Sequence, residues 1–295
     1  MNIILSGGTG FLGSYLAKEF VKKGYNLTII KRSFSKTDRI SDILDQVNTF
    51  DIDMLPLSQL FDSNRLDIVV HASTDYGRNS ALSEVLNANV IFPLKLLENL
   101  ANHNGTAFIN TDSFFNNPGA TNYSYLNSYT LSKRYFNELA HQIVTQSKTK
   151  FINMKLEHLY GPSDSETKFT MDIIRRLLNN ELQIDLTPGQ QKRDFIYVSD
   201  AVDAYIKVIE NVYLFSPQTL SFEVGQGKTY TIRDYVSLAK NICESSSTLN
   251  FGALAYRENE IMRSVANNLT LRNLNWMPLI DLEEGIKLIV TSLID

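Results

Sequence analysis

Ile3-Ile4-Leu5-Ser6-Gly7-Gly8-Thr9-Gly10-Phe11-Leu12-Gly13 is the stretch on which the fold turns. An apolar run enters it, glycines recur at every third position (Gly7, Gly10, Gly13), and a helical pattern leaves it with Leu12, Leu16, Phe20 and Val21 on one side. Gly7 permits a tight turn. Gly10 lets backbone approach an anion at the helix N-terminus, where free N–H groups and the helix dipole favour negative charge, and Gly13 lets helix and strand pack closely. A purely structural turn would use the same glycines. Placement at the first strand–helix junction favours a pyrophosphate cradle, with the Phe11 and Leu12 backbone at its mouth.

On both sides of this loop the first half of the chain alternates strand and helix. Strands are predicted over Asn2–Leu5, Asn26–Ile30, Val47–Phe50, Asp67–His71, Ala107–Asn110 and Phe151–Leu156, and helices over Phe11–Lys23, Val90–Asn102 and Ser128–Gln146. Asp67–His71 is the near-continuous apolar run of a strand covered on both faces. The alternation predicts the α/β class: a Rossmann-type doubly wound parallel sheet of right-handed βαβ units. After Gly161-Pro162 the rhythm lapses. Helices are expected over Phe169–Asn180, from Asp200 to about Val212, from Ile232 and from about Leu282, with a turn at Pro188-Gly189, an irregular segment Arg193–Asp200 and a strand Ser221–Val224. The division expected is a dinucleotide-binding domain over residues 1–160, with later parts near 192–224. A smaller α/β substrate-binding lobe over 161–295 is interleaved with it, and no linker separates the two.

Composition narrows the function. The chain has 295 residues, 43% hydrophobic and 20% charged, with a net charge of −4 and no block of like charge. A mildly acidic chain without a basic stripe is not built for nucleic acid or an anionic membrane surface. The single cysteine, Cys243, excludes an intrachain disulfide and a thiolate metal site, and its helical setting predicts a buried, inert thiol. Met1 leads directly into a strand, and no apolar run nears the roughly 18 residues of a membrane helix, so a cytoplasmic enzyme without bound metal is expected.

Two further stretches carry chemistry. Ile29-Ile30-Lys31-Arg32-Ser33 closes the second strand, where a carboxylate would accept from the ribose hydroxyl of NAD. Lys31 and Arg32 stand there instead, which predicts a 2′-phosphate and hence NADP; a solvated strand end is the alternative. Tyr129 and Lys133 are four apart and share one helix face, where the lysine would lower the phenol's pKa and hold a cofactor ribose while the tyrosine exchanges a proton with a carbonyl or alcohol.

The glycine loop, Tyr129-x-x-x-Lys133, His158-Leu159-Tyr160-Gly161-Pro162 and Arg193-Asp194-Phe195-Ile196-Tyr197-Val198-x-Asp200 together resemble the extended short-chain dehydrogenase/reductase family of nucleotide-sugar enzymes. The likeness runs nearly end to end, to Trp276-Met277-Pro278. It implies that Thr111, in Asn110-Thr111-Asp112-Ser113, is the third catalytic residue, with Asp112 and Ser113 beside the substrate. It implies that His158, where the family has an asparagine, meets the substrate diphosphate together with Lys168, Arg193 and Arg257. It places His71, Ala72 and Asn89 along the cofactor and Asp51 and Ile52 at its adenine. A core histidine at His158, a surface ion pair at Arg257, and structural roles for His71 and Asn89 remain open. A shortened loop between Phe115 and Tyr123 and a homodimer through the helices of Val90–Asn102 and Tyr129–Gln146 are also implied. The family's 4,6-dehydratases carry glutamate where this chain has Ser113, which argues against dehydration. Its epimerases retain NAD, whereas Lys31-Arg32 imply a dissociable NADPH. The expectation is therefore an NADP-dependent 4-ketoreductase of a CDP- or dTDP-linked 6-deoxy or 3,6-dideoxy sugar serving surface-polysaccharide (O-antigen) synthesis. A nucleotide-sugar 4-epimerase with tightly bound NAD is the alternative.

Overall fold

The computed structural model describes residues 1–62, 67–116, 126–216 and 219–294. In chain order the first elements are β1 (Asn2–Ser6), α1 (Phe11–Lys22), β2 (Asn26–Lys31), β3 (Asn48–Asp51), α2 (Gln59–Asp62), β4 (Ile68–His71), α3 (Leu82–Leu86), α4 (Phe92–Asn102), β5 (Ala107–Ser113), α5 (Asn127–Val144) and β6 (Lys150–Leu156). There follow β7 (His158–Tyr160), α6 (Phe169–Leu178), β8 (Gln183–Leu186), β9 (Lys192–Arg193), β10 (Phe195–Tyr197), α7 (Val198–Glu210), β11 (Thr219–Val224), β12 (Tyr230–Thr231), α8 (Ile232–Ile242), β13 (Thr248–Phe251), α9 (Leu269–Arg272) and α10 (Leu282–Ile294).

One sheet of seven strands, in the order β11-β6-β5-β4-β1-β2-β3, gathers the strands up to β6 together with β11 from later in the chain. β1 pairs in parallel with both β2 and β4, and the parallel pairing continues to β3 on one side and β5 on the other. The winding therefore reverses between β1 and β4, the switch point where doubly wound sheets open a crevice for ligands. The described chain forms two compact units. The first draws on Met1–Asn116, Leu126–Lys155 and Tyr205–Phe222, and the second on Leu156–Ala204 and the residues from Glu223 onward. α7 passes from one to the other at Ala204.

The core of the first unit explains where α5 lies. Phe136, Ala140 and Val144 are fully buried against Phe108 of β5 and Phe151 of β6, with ring centroids 5.8 Å apart for Phe108–Phe136 and for Phe136–Phe151. Helical spacing continues that stripe backward through Lys133 to Tyr129. The two polar residues are thus carried into the protein by the same face that packs the core, and both are buried.

Four features depart from the sequence reading. Val90–Asn102 is not one regular helix: a π turn over Asn87–Ile91 precedes α4, and the Phe92 N–H reaches Asn87 O, five residues back. Pro93 lacks the N–H that would continue the α ladder, and the widened turn absorbs the loss while aiming Asn89 inward. β5 runs three residues beyond Asn110, so Thr111 sits on a strand. β8 pairs in parallel with β13, in a segment whose Gln-Ile-Asp-Leu pattern is too short to announce a strand. Cys243 caps α8 half-buried rather than within a core, and burial pushes its thiol up to about 11. Among the described residues no helix is long and apolar enough to cross a membrane, and no cluster of ligands could hold a metal ion. The expected short loop between Phe115 and Tyr123 lies largely outside the described residues.

Candidate active site

The glycine loop is built to let something approach its backbone. Gly7 has φ +77°, and a Cβ on it would lie 2.5 Å from Ser73 N, just after β4. A Cβ on Gly13 would lie 1.9 Å from Gly7 O, so any side chain there pushes α1 off the loop. Gly10 donates to Gly7 O at 2.9 Å and starts α1 with no side-chain cap. A helix N-terminus without a side-chain cap, set on a glycine loop, suits a pyrophosphate.

The end of β2 is less cationic in space than in sequence. Register places Lys31 opposite Asp51, and Lys31 Nζ lies 3.2 Å from Asp51 Oδ2. Ser33 Oγ donates to the same carboxylate at 2.9 Å, and Ser33 N donates to Asp53 Oδ2 at 2.9 Å. Desolvation raises the Asp51 carboxyl, but the Asp53 amide, the Ser33 hydroxyl and the Lys31 ammonium outweigh it and hold the group below its ordinary value. The sequence reading of two cations without a carboxylate is corrected here: neighbouring β3 supplies the carboxylate, and Lys31 is paired with it. Arg32 remains exposed, with its guanidinium carbon 4.5 Å from the centroid of Phe34. Ile52 follows Asp51 and donates its N–H to Lys31 O at 3.0 Å.

Thr111, Tyr129 and Lys133 are brought together in the first unit. Lys133 Nζ donates to Thr111 O at 2.9 Å and lies 6.0 Å from the Tyr129 ring centroid. The Tyr129 ring packs against Tyr76 at 5.1 Å, and the Ser113 side chain is close enough to its hydroxyl to lower the phenol's pKa. Burial pushes the phenol well above its usual value, and the neighbouring Tyr76 and Asp112 push it further. Of the neighbours that shift it, the one that lowers it is Ser113 rather than Lys133. Lys133 is buried as well, which brings its ammonium down to about 8, and its proton is directed at the Thr111 carbonyl. Near neutral pH the tyrosine is a proton donor, not a phenolate.

Asp112 does not face the site with a spare oxygen. Its Oδ1 accepts from Asn116 and from the Ser113 amide, and its Oδ2 from Asn137 and Asn153, all at 2.6–2.8 Å. The carboxylate that sequence placed beside the substrate is a buried clamp joining β5, α5 and β6.

The second unit gathers the other predicted residues on its own scaffold. β7 and β10 pair in parallel, His158 opposite Phe195, and Arg193 precedes β10. Burial holds the His158 ring well below its usual pKa, and the charges of Arg193 and Lys168 hold it lower still, so a neutral imidazole stands near two cationic side chains. Lys168 Nζ lies 3.0 Å from Asp164, and buried Arg193 pairs with Glu260 at 2.6 Å. Glu157 is buried beside His158, with Ser264 Oγ 2.6 and 2.8 Å from its two carboxyl oxygens and one hydroxyl proton between them, and burial pushes the carboxyl up to about 8. Arg257 is exposed in the loop after β13.

Comparison with known proteins places these features. Residues 3–225 match the NAD dependent epimerase/dehydratase family. The chain belongs to that family. It is 37% identical to CDP-abequose synthase of Salmonella muenchen over 287 residues, 97% of this chain and 95% of that protein. It is equally identical to the enzyme of the same name from Salmonella typhimurium, over 97% of this chain and 96% of that protein. Among solved structures it resembles UDP-glucose 4-epimerase of Thermotoga maritima, with a TM-score of 0.82 at 21% identity, covering 99% and 98% of the two chains. It also resembles UDP-glucuronic acid 4-epimerase of Bacillus cereus, with a TM-score of 0.82 at 20% identity and the same coverage. At that identity these structures support the Rossmann-like fold, a doubly wound parallel sheet.

Within the first unit, two of the expected cofactor neighbours have their side chains engaged by other groups. His71 is fully buried, its Nδ1 2.7 Å from Ser6 Oγ and its ring against Phe92 and Phe108, so its side chain joins β4 to β1 inside the core. The following Ala72, just past the end of β4, donates its N–H to Ser6 O. Asn89 uses its whole amide: Oδ1 accepts from Thr74 Oγ1 and Asp75 N, and Nδ2 donates to Asp75 O and Ser132 Oγ. It ties the segment carrying Tyr76 to the helix carrying Tyr129 and has no position left for a ligand. Sequence reasoning missed Tyr76, Tyr205 and Glu157. Tyr76 and Tyr205 meet Tyr129 and Thr111 only through the fold, whereas Glu157 adjoins His158 in the chain and its burial is what the sequence does not announce.

Proposed function

We propose that this family member is an NADPH-dependent reductase of a nucleotide-linked 4-keto-6-deoxy or 3,6-dideoxy hexose, the reaction class of CDP-abequose synthase, acting in the cytoplasm in surface-polysaccharide synthesis. The observation that carries the reading is a protonated phenol beside a serine, with no free carboxylate near it among the described residues. Tyr129 can give a proton to a substrate oxygen. Ser113 cannot take one from a sugar carbon as a dehydratase base must, and Asp112 is saturated. The 37% identity to CDP-abequose synthases over nearly the whole chain supports the same choice.

Gly7, Gly10 and Gly13, with the Phe11 and Leu12 amides, would hold the pyrophosphate of the cofactor, and Arg32 its 2′-phosphate. When bound, NADPH supplies hydride to the carbonyl carbon. Tyr129 protonates the resulting alkoxide, Thr111 donates a hydrogen bond to it, and Lys133 steadies the phenolate left behind and the cofactor ribose. His158, Lys168, Arg193 and Arg257 would receive the substrate's diphosphate on the second unit. The test is NADPH oxidation against a panel of CDP- and dTDP-4-keto sugars, with product configuration read by NMR. No oxidation with any member would remove the proposal.

One observation favours the second reading, a 4-epimerase: Asp51 offers a carboxylate where an NAD ribose would want one. The readings separate at Arg32. If it bonds a 2′-phosphate, Arg32→Ala is expected to weaken NADPH binding roughly tenfold, toward the low end for a charge-assisted bond because solvent screens the site. NADH binding should be unchanged, as fluorescence titration would show. Equal wild-type affinity for both cofactors, or NAD that copurifies and does not exchange, would favour the epimerase.

Lys133 sets a pH dependence. Burial puts its pKa near 8, so the ammonium is present below that pH and lost above it. Since kcat/KM reports groups of the free enzyme, it is expected to fall as pH rises through about 8, while the raised phenol stays protonated. A profile flat between pH 7 and pH 10 would mean that this charge takes no part.

A further inference from the structure

Tyr205, on α7, is fully buried, and its hydroxyl lies 2.7 Å from Thr111 Oγ1. A buried hydroxyl must place its proton, because an unpaired donor in the interior keeps its full desolvation cost. Among the described residues Thr111 is the partner of this phenol. A phenol is more acidic than an aliphatic alcohol, so Tyr205 donates and Thr111 accepts. Were the order reversed, the Tyr205 proton would be buried without an acceptor. Burial also raises Tyr205 well above its ordinary pKa, and the nearby Asp112 charge adds to that, so the phenol keeps its proton throughout the working range.

The donation has a consequence for Thr111. One lone pair of Oγ1 is occupied, so the threonine's own hydrogen must point elsewhere. The backbone of the same residue is held too, since Thr111 O accepts from Lys133 Nζ at 2.9 Å. We infer that Tyr205 is a positioning residue that commits the Thr111 hydroxyl to donate toward the reacting oxygen, by holding Oγ1 as an acceptor on the opposite side. An alkoxide needs donors aimed at it, and an unheld threonine hydroxyl would divide its time between donor and acceptor orientations. The inference rests on Thr111 being catalytic, as proposed above. It applies equally to reduction and to 4-epimerisation, both of which build charge on the same oxygen.

The test is a double-mutant cycle on turnover in whichever of these reactions the wild type catalyses, with thermal melts of every variant. Tyr205→Phe keeps the ring and removes the donor. It is expected to lower kcat roughly tenfold, in line with one lost hydrogen bond, with KM within about twofold of wild type. Thr111→Val should cost roughly 10²-fold, the loss of one oxyanion donor, and adding Tyr205→Phe to it should cost nothing more. Tyr205→Phe at the wild-type rate, or losses that multiply in the double variant, would overturn the inference. A Thr111→Val enzyme at the wild-type rate would instead overturn the catalytic reading on which it rests, and the inference with it. If Tyr205→Phe lowers the melting temperature with kcat intact, its role is structural only, which also overturns the inference.

Discussion

Tyr129→Phe is expected to lower kcat by roughly 10²–10⁴-fold, the worth of a positioned proton donor, while substrate and cofactor still bind. The substitution removes one oxygen and keeps the ring that packs on Tyr76 at 5.1 Å, so α5 should stay in place. The loss should be the same across the pH range in which the wild type is active, because burial keeps the phenol protonated throughout it. Steady-state kinetics with equilibrium titration of both ligands checks this. An unchanged kcat would mean that water or another group supplies the proton.

Gly13→Val should act earlier, on binding of the cofactor. Even the first carbon of a side chain at this position meets Gly7 O at 1.9 Å, and backbone on both sides leaves nothing flexible to give way. Either α1 moves off the loop or the loop opens, and the pyrophosphate cradle is lost in both cases. Overpacking of this kind costs about 1–3 kcal/mol of stability. The expected result is a lower melting temperature together with cofactor affinity reduced beyond measurement. A Gly13→Val protein that still binds NADPH within tenfold of wild type would show that the dinucleotide is held elsewhere.

How far the sequence could be read depended on how local each signal was. The β1–α1 loop, the parallel strands and the Tyr129–Lys133 pair rest on spacing within a few residues, and those spacings survive folding almost unchanged. Thr111 came from a family pattern, and the structure sets it beside Lys133. What misled was charge. Lys31-Arg32 reads as a bare cationic strand end until β3 pairs with β2 and sets Asp51 against Lys31, a contact between residues twenty positions apart. Asp112 reads as a site residue because it lies between two, yet three asparagines from other segments claim its oxygens. The raised phenol was equally invisible, since burial is a property of the packed core and not of the Tyr-x-x-x-Lys spacing. For Asn89 and His71 the family resemblance left a cofactor contact and a structural role open, and the hydrogen bonds of their side chains are structural ones, between segments far apart in the chain.

The central claim is that this site delivers hydrogen from a dissociable NADPH to C4 of a nucleotide-linked keto sugar. It is tested most directly by following the label from NADPH carrying deuterium at its transferable C4 position, with CDP-4-keto-3,6-dideoxyglucose as acceptor and NMR of the product. One deuterium at sugar C4 for each NADPH consumed is the predicted result. An unlabelled sugar with NADPH unspent, accompanied by interconversion of C4 epimers of a nucleotide hexose without added cofactor, would contradict it.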